Sequence, residues 1–129
     1  MEELLPVVLV VEDEHAVQGF IEDALNDAGF GAVSLSSGEE ALTILSGDKD
    51  KFRALLTDVN LAGRLSGWKV AKRVREVKPD MPVIYMTGVS GDEWPSHGVP
   101  GSILFTKPFA PVQVVTAVAQ LLNAASTKP

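Results

Sequence analysis

The sequence predicts a doubly wound α/β domain around a five-stranded parallel sheet. Short, valine-rich apolar runs alternate with segments whose apolar residues recur at helical spacing. These strand–helix units follow one another over 129 residues without repeats or long linkers. We therefore expect one domain, with a core at about residues 6–124, no effector domain and the flavodoxin-like strand order 2-1-3-4-5.

The first half of the chain supplies three of the predicted strands, at Val7–Val11, Gly31–Leu35 and Ala54–Thr57. The first run is apolar throughout, as expected of a strand that is buried on both faces. Apolar residues then recur at helical spacing, and Gly29 is expected to end this first helix. Ser37 and Glu40 form a capping box that predicts the start of the second helix.

The second half supplies the remaining strands, predicted at Pro82–Met86 and Ser102–Phe105. Trp68 lies on the third helix, which should end before Pro79, and Pro111 fits the first turn of the last helix. The segment Gly88–Gly101 contains four glycines and two prolines, so the fourth helix should be short or irregular.

Composition excludes several classes of function. The net charge of −6 argues against binding to nucleic acid or to an anionic membrane. The absence of cysteine excludes disulfide and thiolate chemistry. The acidic start lacks the basic region of a secretory signal, and the apolar runs have strand length. These features predict a cytoplasmic protein, which we expect to be a monomer or a weak dimer.

Charged and polar residues stand where the predicted strands end, at Glu12, Asp13, Asp58, Thr87 and Lys107. The carboxyl ends of parallel strands meet at one crevice, so these side chains should lie close together. Carboxylates, a hydroxyl and an ammonium in one crevice suit phosphoryl chemistry at an aspartate with a divalent cation.

The motifs at these strand ends resemble those of the receiver domains of two-component response regulators, over nearly the whole chain. They are Leu9-Val-Val-Glu12-Asp13-Glu14, Leu55-Leu-Thr-Asp58, Met86-Thr87-Gly88 and Thr106-Lys107-Pro108-Phe109. The resemblance implies a signalling domain rather than an enzyme, although one that assists its own phosphorylation and dephosphorylation. Its implied partners are a sensor histidine kinase or histidine phosphotransfer protein and a downstream partner protein.

The resemblance also implies a role for each site residue. Asp58 corresponds to the phosphoacceptor, and Thr87 and Lys107 correspond to the switch residues that bind the phosphoryl group. The implied ligands of Mg²⁺ (or Mn²⁺) are Asp13, Asp58, Glu12 and the main-chain carbonyl of Asn60. A cation suits this chemistry because a carboxylate and a phosphate repel each other.

Several positions depart from the family pattern. Glu12 stands where aspartate is commoner. The loop Leu61–Gly67 has about one extra residue and lacks the usual proline. Leu104 replaces an aromatic residue, so we expect the signal to pass from Thr87 to the segment Gly88–Gly101 instead. The bond before Pro108 is expected to be cis, in a tight turn that aims the preceding lysine at the aspartate.

Four alternative functions are also considered for this sequence. A haloacid-dehalogenase-like phosphatase would carry Asp-x-Asp after its first strand, whereas this chain has Glu12-Asp13-Glu14 there. A flavin-binding protein of this fold would have a Ser/Thr-rich phosphate loop at that place. A receiver-fold interaction module that is never phosphorylated, and a receiver domain cut from a hybrid histidine kinase, are the remaining alternatives.

Overall fold

The computed structural model describes residues 6–48 and 50–126, and side chains as far as residue 123. The acidic start discussed above lies outside the described residues. The strands are β1 Val7–Val11, β2 Gly31–Leu35, β3 Phe52–Asp58, β4 Val83–Thr87 and β5 Ile103–Thr106. The helices are α1 His15–Asp27, α2 Gly38–Gly47, α3 Gly67–Val77, α4 Trp94–His97 and α5 Pro111–Ser126.

The strands form one parallel sheet in the order β2-β1-β3-β4-β5, which confirms the predicted fold. Each face of the sheet carries its own layer of apolar side chains. Leu55 and Tyr85 face the layer that includes α2 and α3, whereas Leu56 and Met86 face the layer that includes α1 and α5. The central strands are therefore buried on both faces, which explains their continuous apolar sequence.

Local signals end the helices close to the predicted positions. Gly29 lies just beyond α1 with φ of 92°, and the Phe30 N–H donates to the Leu25 carbonyl at 2.9 Å. This is a Schellman motif, in which glycine adopts the left-handed conformation at least cost. Ser37 caps α2 by accepting from the Glu40 N–H. The Glu40 carboxylate returns to the Ser36 N–H rather than to Ser37, so the predicted capping box is displaced by one residue.

The fourth helix is short, as the glycines and prolines predicted. A single 3₁₀ turn at Gly91–Glu93 leads into α4, which contains four residues. Trp94 is half-buried, and its indole N–H donates to the Ser102 hydroxyl at 3.0 Å. Trp68 packs in the core, edge-on to Tyr85 with ring centroids 4.6 Å apart.

Strand ends differ slightly from the prediction, and the difference bears on the site. β3 extends through Asp58 and β4 through Thr87, so both side chains stand on the sheet itself. Gly67 begins α3 against the end of β3, where an added Cβ would lie 2.1 Å from the Asp58 carbonyl oxygen. Only glycine permits this approach.

Within the described residues, no helix is both long and apolar enough to cross a membrane.

Candidate functional site

The strand register brings the predicted residues to one edge of the sheet. Val11 is level with Thr57, so Glu12 follows β1 beside Asp58 at the end of β3. Thr87 is level with Thr106, and Lys107 follows directly. The Lys107 N–H donates to the Thr87 carbonyl at 2.7 Å, and the Lys107–Pro108 bond is cis, as expected.

Three carboxylates meet at this edge and form what we call the acidic cluster: Glu12, Asp13 and Asp58. Each offers an oxygen within 4.8 Å of the others. Glu12 and Asp58 are buried, whereas Asp13 is half-buried. The Asp58 Oδ1 accepts from the Asn60 N–H at 3.3 Å, and the Glu12 Oε2 accepts from the Glu14 N–H at 3.0 Å. The polar edge predicted from the strand ends is therefore present.

Lys107 bridges two members of the acidic cluster. Its Nζ donates to Glu12 Oε1 at 2.9 Å and to Asp58 Oδ2 at 3.1 Å. The lysine side chain is 22% exposed, so water screens these pairs only in part. Lys107 thereby holds both buried carboxylates in fixed positions and offsets part of their charge.

Burial and hydrogen bonding together determine the pKa values of Glu12 and Lys107. Burial raises the pKa of the Glu12 carboxyl, and the hydrogen bonds from Lys107 and the Glu14 N–H oppose that rise. For Lys107, burial alone would lower the pKa, but hydrogen bonds to Glu12 and Asp58 outweigh it, and the pKa is raised. Lys107 therefore remains an ammonium in the neutral range.

The donor set of the acidic cluster fits a hard divalent cation. Mg²⁺ prefers oxygen ligands and keeps several waters, and the cluster offers carboxylate oxygens with Asp13 the most open of the three. Asp13 Oδ2 also accepts from the Ala62 N–H at 3.2 Å. Asn60 lies two residues after Asp58, in the loop that follows β3 and that also contains Ala62. Its main-chain carbonyl is therefore near Asp58 along the chain.

The Thr87 hydroxyl takes part in a network with Asn60 and Ser90. It donates to Asn60 Oδ1 at 3.2 Å and accepts from the backbone N–H groups of Val89 at 3.2 Å and Ser90 at 2.8 Å. The buried Ser90 hydroxyl also lies 3.2 Å from Asn60 Nδ2. The network joins the end of β3 to the start of the segment Gly88–Gly101.

Gln18 on α1 stabilises the backbone next to the acidic cluster. Its amide Nε2 donates to the Glu12 carbonyl, and also to the Leu35 carbonyl and the Ser36 hydroxyl, both at 3.4 Å. One side chain thus ties α1 to the ends of β1 and β2. The acidic turn is held in place by its backbone as well as by its side chains.

Sequence reasoning missed three contributors to this edge: Gln18, Glu39 and Ser90. Glu39 Oε2 accepts from the Arg64 N–H at 3.0 Å, in the loop that follows β3. These residues lie outside the strand-end motifs, and their role depends on how helices and loops pack. A polar residue on the sheet-facing side of α1 was the one available signal, and it pointed to Gln18.

Comparisons with known proteins agree with this geometry. The response regulator receiver domain family model matches residues 8–119. The response regulator receiver protein CpdR of Brucella abortus is 28% identical over 92% of this chain and 98% of its own length. The autoinducer 1 sensor kinase/phosphatase LuxN of Vibrio campbellii is 25% identical over 67% of this chain, which spans 10% of LuxN.

Solved structures give the same result. The crystal structure of a response regulator receiver protein from Sinorhizobium medicae is 39% identical and superposes with a TM-score of 0.89. That match covers 93% of this chain and 96% of the other. The family match therefore excludes the hypotheses of a haloacid-dehalogenase-like phosphatase and of a flavin-binding protein. The chain belongs to the response regulator receiver domain family, the bacterial signalling domains of two-component systems.

Proposed function

We propose that this receiver domain accepts a phosphoryl group on Asp58 with the help of Mg²⁺ and switches a protein-binding surface. The observation that carries the proposal is the position of Lys107, whose ammonium lies 3.1 Å from Asp58 and 2.9 Å from Glu12. An ammonium that touches both buried carboxylates is placed to attract and bind a transferred phosphoryl group.

Asp58 is the nucleophile in this proposal. An Asp58 carboxylate oxygen forms a bond to phosphorus while the bond from phosphorus to the donor's leaving group breaks, and the leaving group keeps the electron pair. The ionised carboxylate requires no general base. Asp13, Glu12, Asp58 and the Asn60 carbonyl would hold Mg²⁺, which supplies positive charge that reduces repulsion between the carboxylate and the incoming phosphate.

The donor in this proposal is a phosphohistidine of a sensor histidine kinase or of a histidine phosphotransfer protein. Kinases form such donors from ATP, which places the chain in the cytoplasm. The near-complete coverage of CpdR supports a single-domain receiver over residues 1–129, whereas LuxN shows that related sequences occur within a sensor kinase. Both settings are compatible with the same chemistry at Asp58.

Phosphorylation is tested with acetyl phosphate and Mg²⁺, followed by intact-mass measurement. We expect wild-type protein to gain one phosphoryl group and Asp58→Asn to gain none. Asp13→Ala should weaken Mg²⁺ binding more than Glu12→Ala, because Asp13 is the less buried of the two and Glu12 is engaged by Lys107. Equal labelling of Asp58→Asn would refute the acceptor assignment and favour an interaction module that is not phosphorylated.

Switching in this proposal begins at Thr87. Its oxygen accepts hydrogen bonds from the Val89 and Ser90 N–H groups, so a displacement of Thr87 would move the start of the segment Gly88–Gly101. Leu104 offers neither a ring nor a hydroxyl as an alternative transmitter. A population shift of this kind needs only a small difference in hydrogen-bond free energy, about 0.5–1.5 kcal/mol per bond.

Tryptophan fluorescence tests this coupling, with a Trp68→Phe background that leaves Trp94 as the reporter. We expect beryllofluoride with Mg²⁺ to change Trp94 emission, and Thr87→Ala to abolish the change. An unaltered response in Thr87→Ala, with the ligand bound, would exclude Thr87 as the transmitter.

A further inference from the structure

The loop that follows β3 is attached to two different parts of the molecule. On one side, the Ala62 N–H donates to Asp13 Oδ2 at 3.2 Å. On the other, the Arg64 N–H donates to Glu39 Oε2 at 3.0 Å. Asp13 belongs to the acidic cluster, whereas Glu39 lies in the first turn of α2 and outside that cluster. The loop backbone is therefore held between the metal-binding edge and a neighbouring helix.

The contact between α2 and this loop is close. Gly63 has φ of 95°, and an added Cβ would lie 3.1 Å and 3.2 Å from the two Glu39 carboxylate oxygens. A Cβ added to Gly38 would lie 3.0 Å from the Leu65 Cβ. Small residues on both sides thus let the loop lie directly on the start of α2. The Arg64 N–H, the largest influence on Glu39, lowers the pKa of its carboxyl, which favours the charged acceptor.

We propose that Glu39 is a positioning residue for the metal site, because it holds the loop that begins at Asn60 in the conformation that a cation requires. The inference rests on the proposed function, since positioning matters only if the acidic cluster binds Mg²⁺. A cation would compete with the Ala62 N–H for the oxygens of Asp13. The bond from Arg64 to Glu39 does not face that competition, so it keeps the loop in place.

The sequence of the loop makes such a restraint necessary. Residues 61–67 contain two glycines and no proline, so the backbone of this loop has many accessible conformations. Without another restraint, ordering the loop around a cation would oppose binding. A charge-assisted hydrogen bond from a helix supplies the restraint, because Glu39 is anchored in α2 by the Ser37 cap.

The matched pair Glu39→Ala and Glu40→Ala tests the role. Both residues are exposed, both lie in the first turn of α2, and each substitution removes one negative charge. Glu40 bonds to the Ser36 N–H and not to the loop. By calorimetric titration, Glu39→Ala should weaken Mg²⁺ binding about three- to tenfold, below the usual range for buried supporting residues because Glu39 is exposed. Glu40→Ala should stay within about twofold of wild type.

A second readout needs no metal. Hydrogen exchange of the Arg64 amide in metal-free protein should accelerate in Glu39→Ala and stay unchanged in Glu40→Ala, since only the first variant loses its acceptor. With acetyl phosphate, Glu39→Ala should be slow at low Mg²⁺ and recover at saturating Mg²⁺. Recovery separates a positioning role from general damage to the fold.

The outcomes separate this inference from the proposed function. If wild-type protein binds Mg²⁺ and accepts a phosphoryl group, but both alanine variants bind Mg²⁺ equally well, the role of Glu39 is wrong and the proposed function stands. If wild-type protein does neither, both ideas fail. Should Glu39→Ala not fold, Glu39→Leu, which also lacks an acceptor oxygen, replaces it, and an affinity equal to that of Glu40→Leu would overturn the role.

Discussion

The two ends of the carboxyl edge of the sheet are built differently. At β1 and β3, Glu12 and Asp58 are buried, and Lys107 bonds directly to both. Beyond β4, the segment Gly88–Gly101 exposes Val89 to 82% and is joined to the sheet through the hydroxyls of Thr87 and Tyr85, among its attachments. The charged groups proposed to react are thus held by ion pairs, whereas the segment proposed to move is held by neutral hydrogen bonds and by the packing of Val99 and Trp94. The difference suits the two tasks that we propose, preorganisation for phosphoryl transfer and small energy gaps for switching.

Among the variants considered, removal of the Lys107 ammonium should lower the free energy of unfolding the most. Lys107→Met leaves Glu12 and Asp58 buried and uncompensated, so the free energy of unfolding in metal-free buffer at neutral pH should fall by about 2–3 kcal/mol. Urea unfolding measures the loss, and Lys72→Met, an exposed lysine, should stay within about 0.5 kcal/mol of wild type. Equal stability of the two variants would show that the acidic end is not held by this ammonium.

Substitution of Gln18 should have the next largest effect on the free energy of unfolding, because its side chain donates to the backbone carbonyls beside the acidic cluster. Gln18→Ala removes donors to the Glu12 and Leu35 carbonyls, and we expect a loss of about 1–2 kcal/mol in unfolding free energy. Gln113→Ala is the control, since the exposed Gln113 accepts a hydrogen bond from the Ala110 N–H at the start of α5 rather than bonding to the ends of β1 and β2. If the control lost as much as Gln18→Ala, the acidic turn would not depend on this support.

A substitution at Tyr85 tests how the segment Gly88–Gly101 is attached to the sheet. The Tyr85 hydroxyl accepts from the Val99 N–H of that segment at 3.1 Å. Tyr85→Phe should cost about 1 kcal/mol at neutral pH, because that N–H loses its partner. Burial raises the pKa of Tyr85 above its usual 10.0, against the lowering effect of the Val99 N–H. The unfolded chain then ionises first, so stability is retained below pH 10 and lost as pH rises through 10 and beyond.

The alkaline part of this prediction is directly measurable. Tyr85 is the single tyrosine of the chain, so phenolate absorbance reports it alone. Its titration midpoint in folded protein should exceed 10.0, and the fall in unfolding free energy above pH 10 should be smaller in Tyr85→Phe than in wild type. An ordinary midpoint in folded protein would mean that Tyr85 is open to water.

Val89 should give the smallest effect. Its side chain is 82% exposed, so Val89→Ser should change the unfolding free energy by no more than about 0.5 kcal/mol. The Val89 N–H, which bonds to Thr87, is retained in this variant. A loss of stability comparable to that of Tyr85→Phe, measured in the same urea experiment, would mean that this end is packed more tightly than its exposure indicates.

The fold was predictable because its signals are local and repeated. The apolar run of β1 and the glycine after α1 each act within a few residues, and alternation of strands and helices then limits the topology. Strand ends were off by a residue or two, since the ladder from β3 to β4 continues through Asp58, a polar residue that hydropathy alone would exclude.

The site was predictable only where residues follow strands. Lys107 and Glu12 are 95 positions apart, yet parallel strand order alone brings them to the same edge. The contributions of Glu39 and Ser90 depend on how a helix start and a loop place their side chains, which no period of the sequence encodes, whereas the helical period of α1 places Gln18 on the same face as the buried Ile21 and Leu25. The resemblance implies that Thr87 binds the phosphoryl group, and the sequence did not indicate that its hydroxyl donates to the Asn60 side chain in the unphosphorylated protein.

The hydrogen bond from Thr87 to Asn60 sets the threshold of the proposed switch. A threonine hydroxyl has one hydrogen to give, and in this conformation Thr87 gives it to the Asn60 side chain. A phosphoryl oxygen can receive that hydrogen only by displacing Asn60, so engagement is an exchange of acceptors with no net gain in the number of bonds. What favours the exchange is the negative charge of the new acceptor. Asn60, two residues after Asp58, is therefore the neutral acceptor with which a phosphoryl group on Asp58 would have to compete.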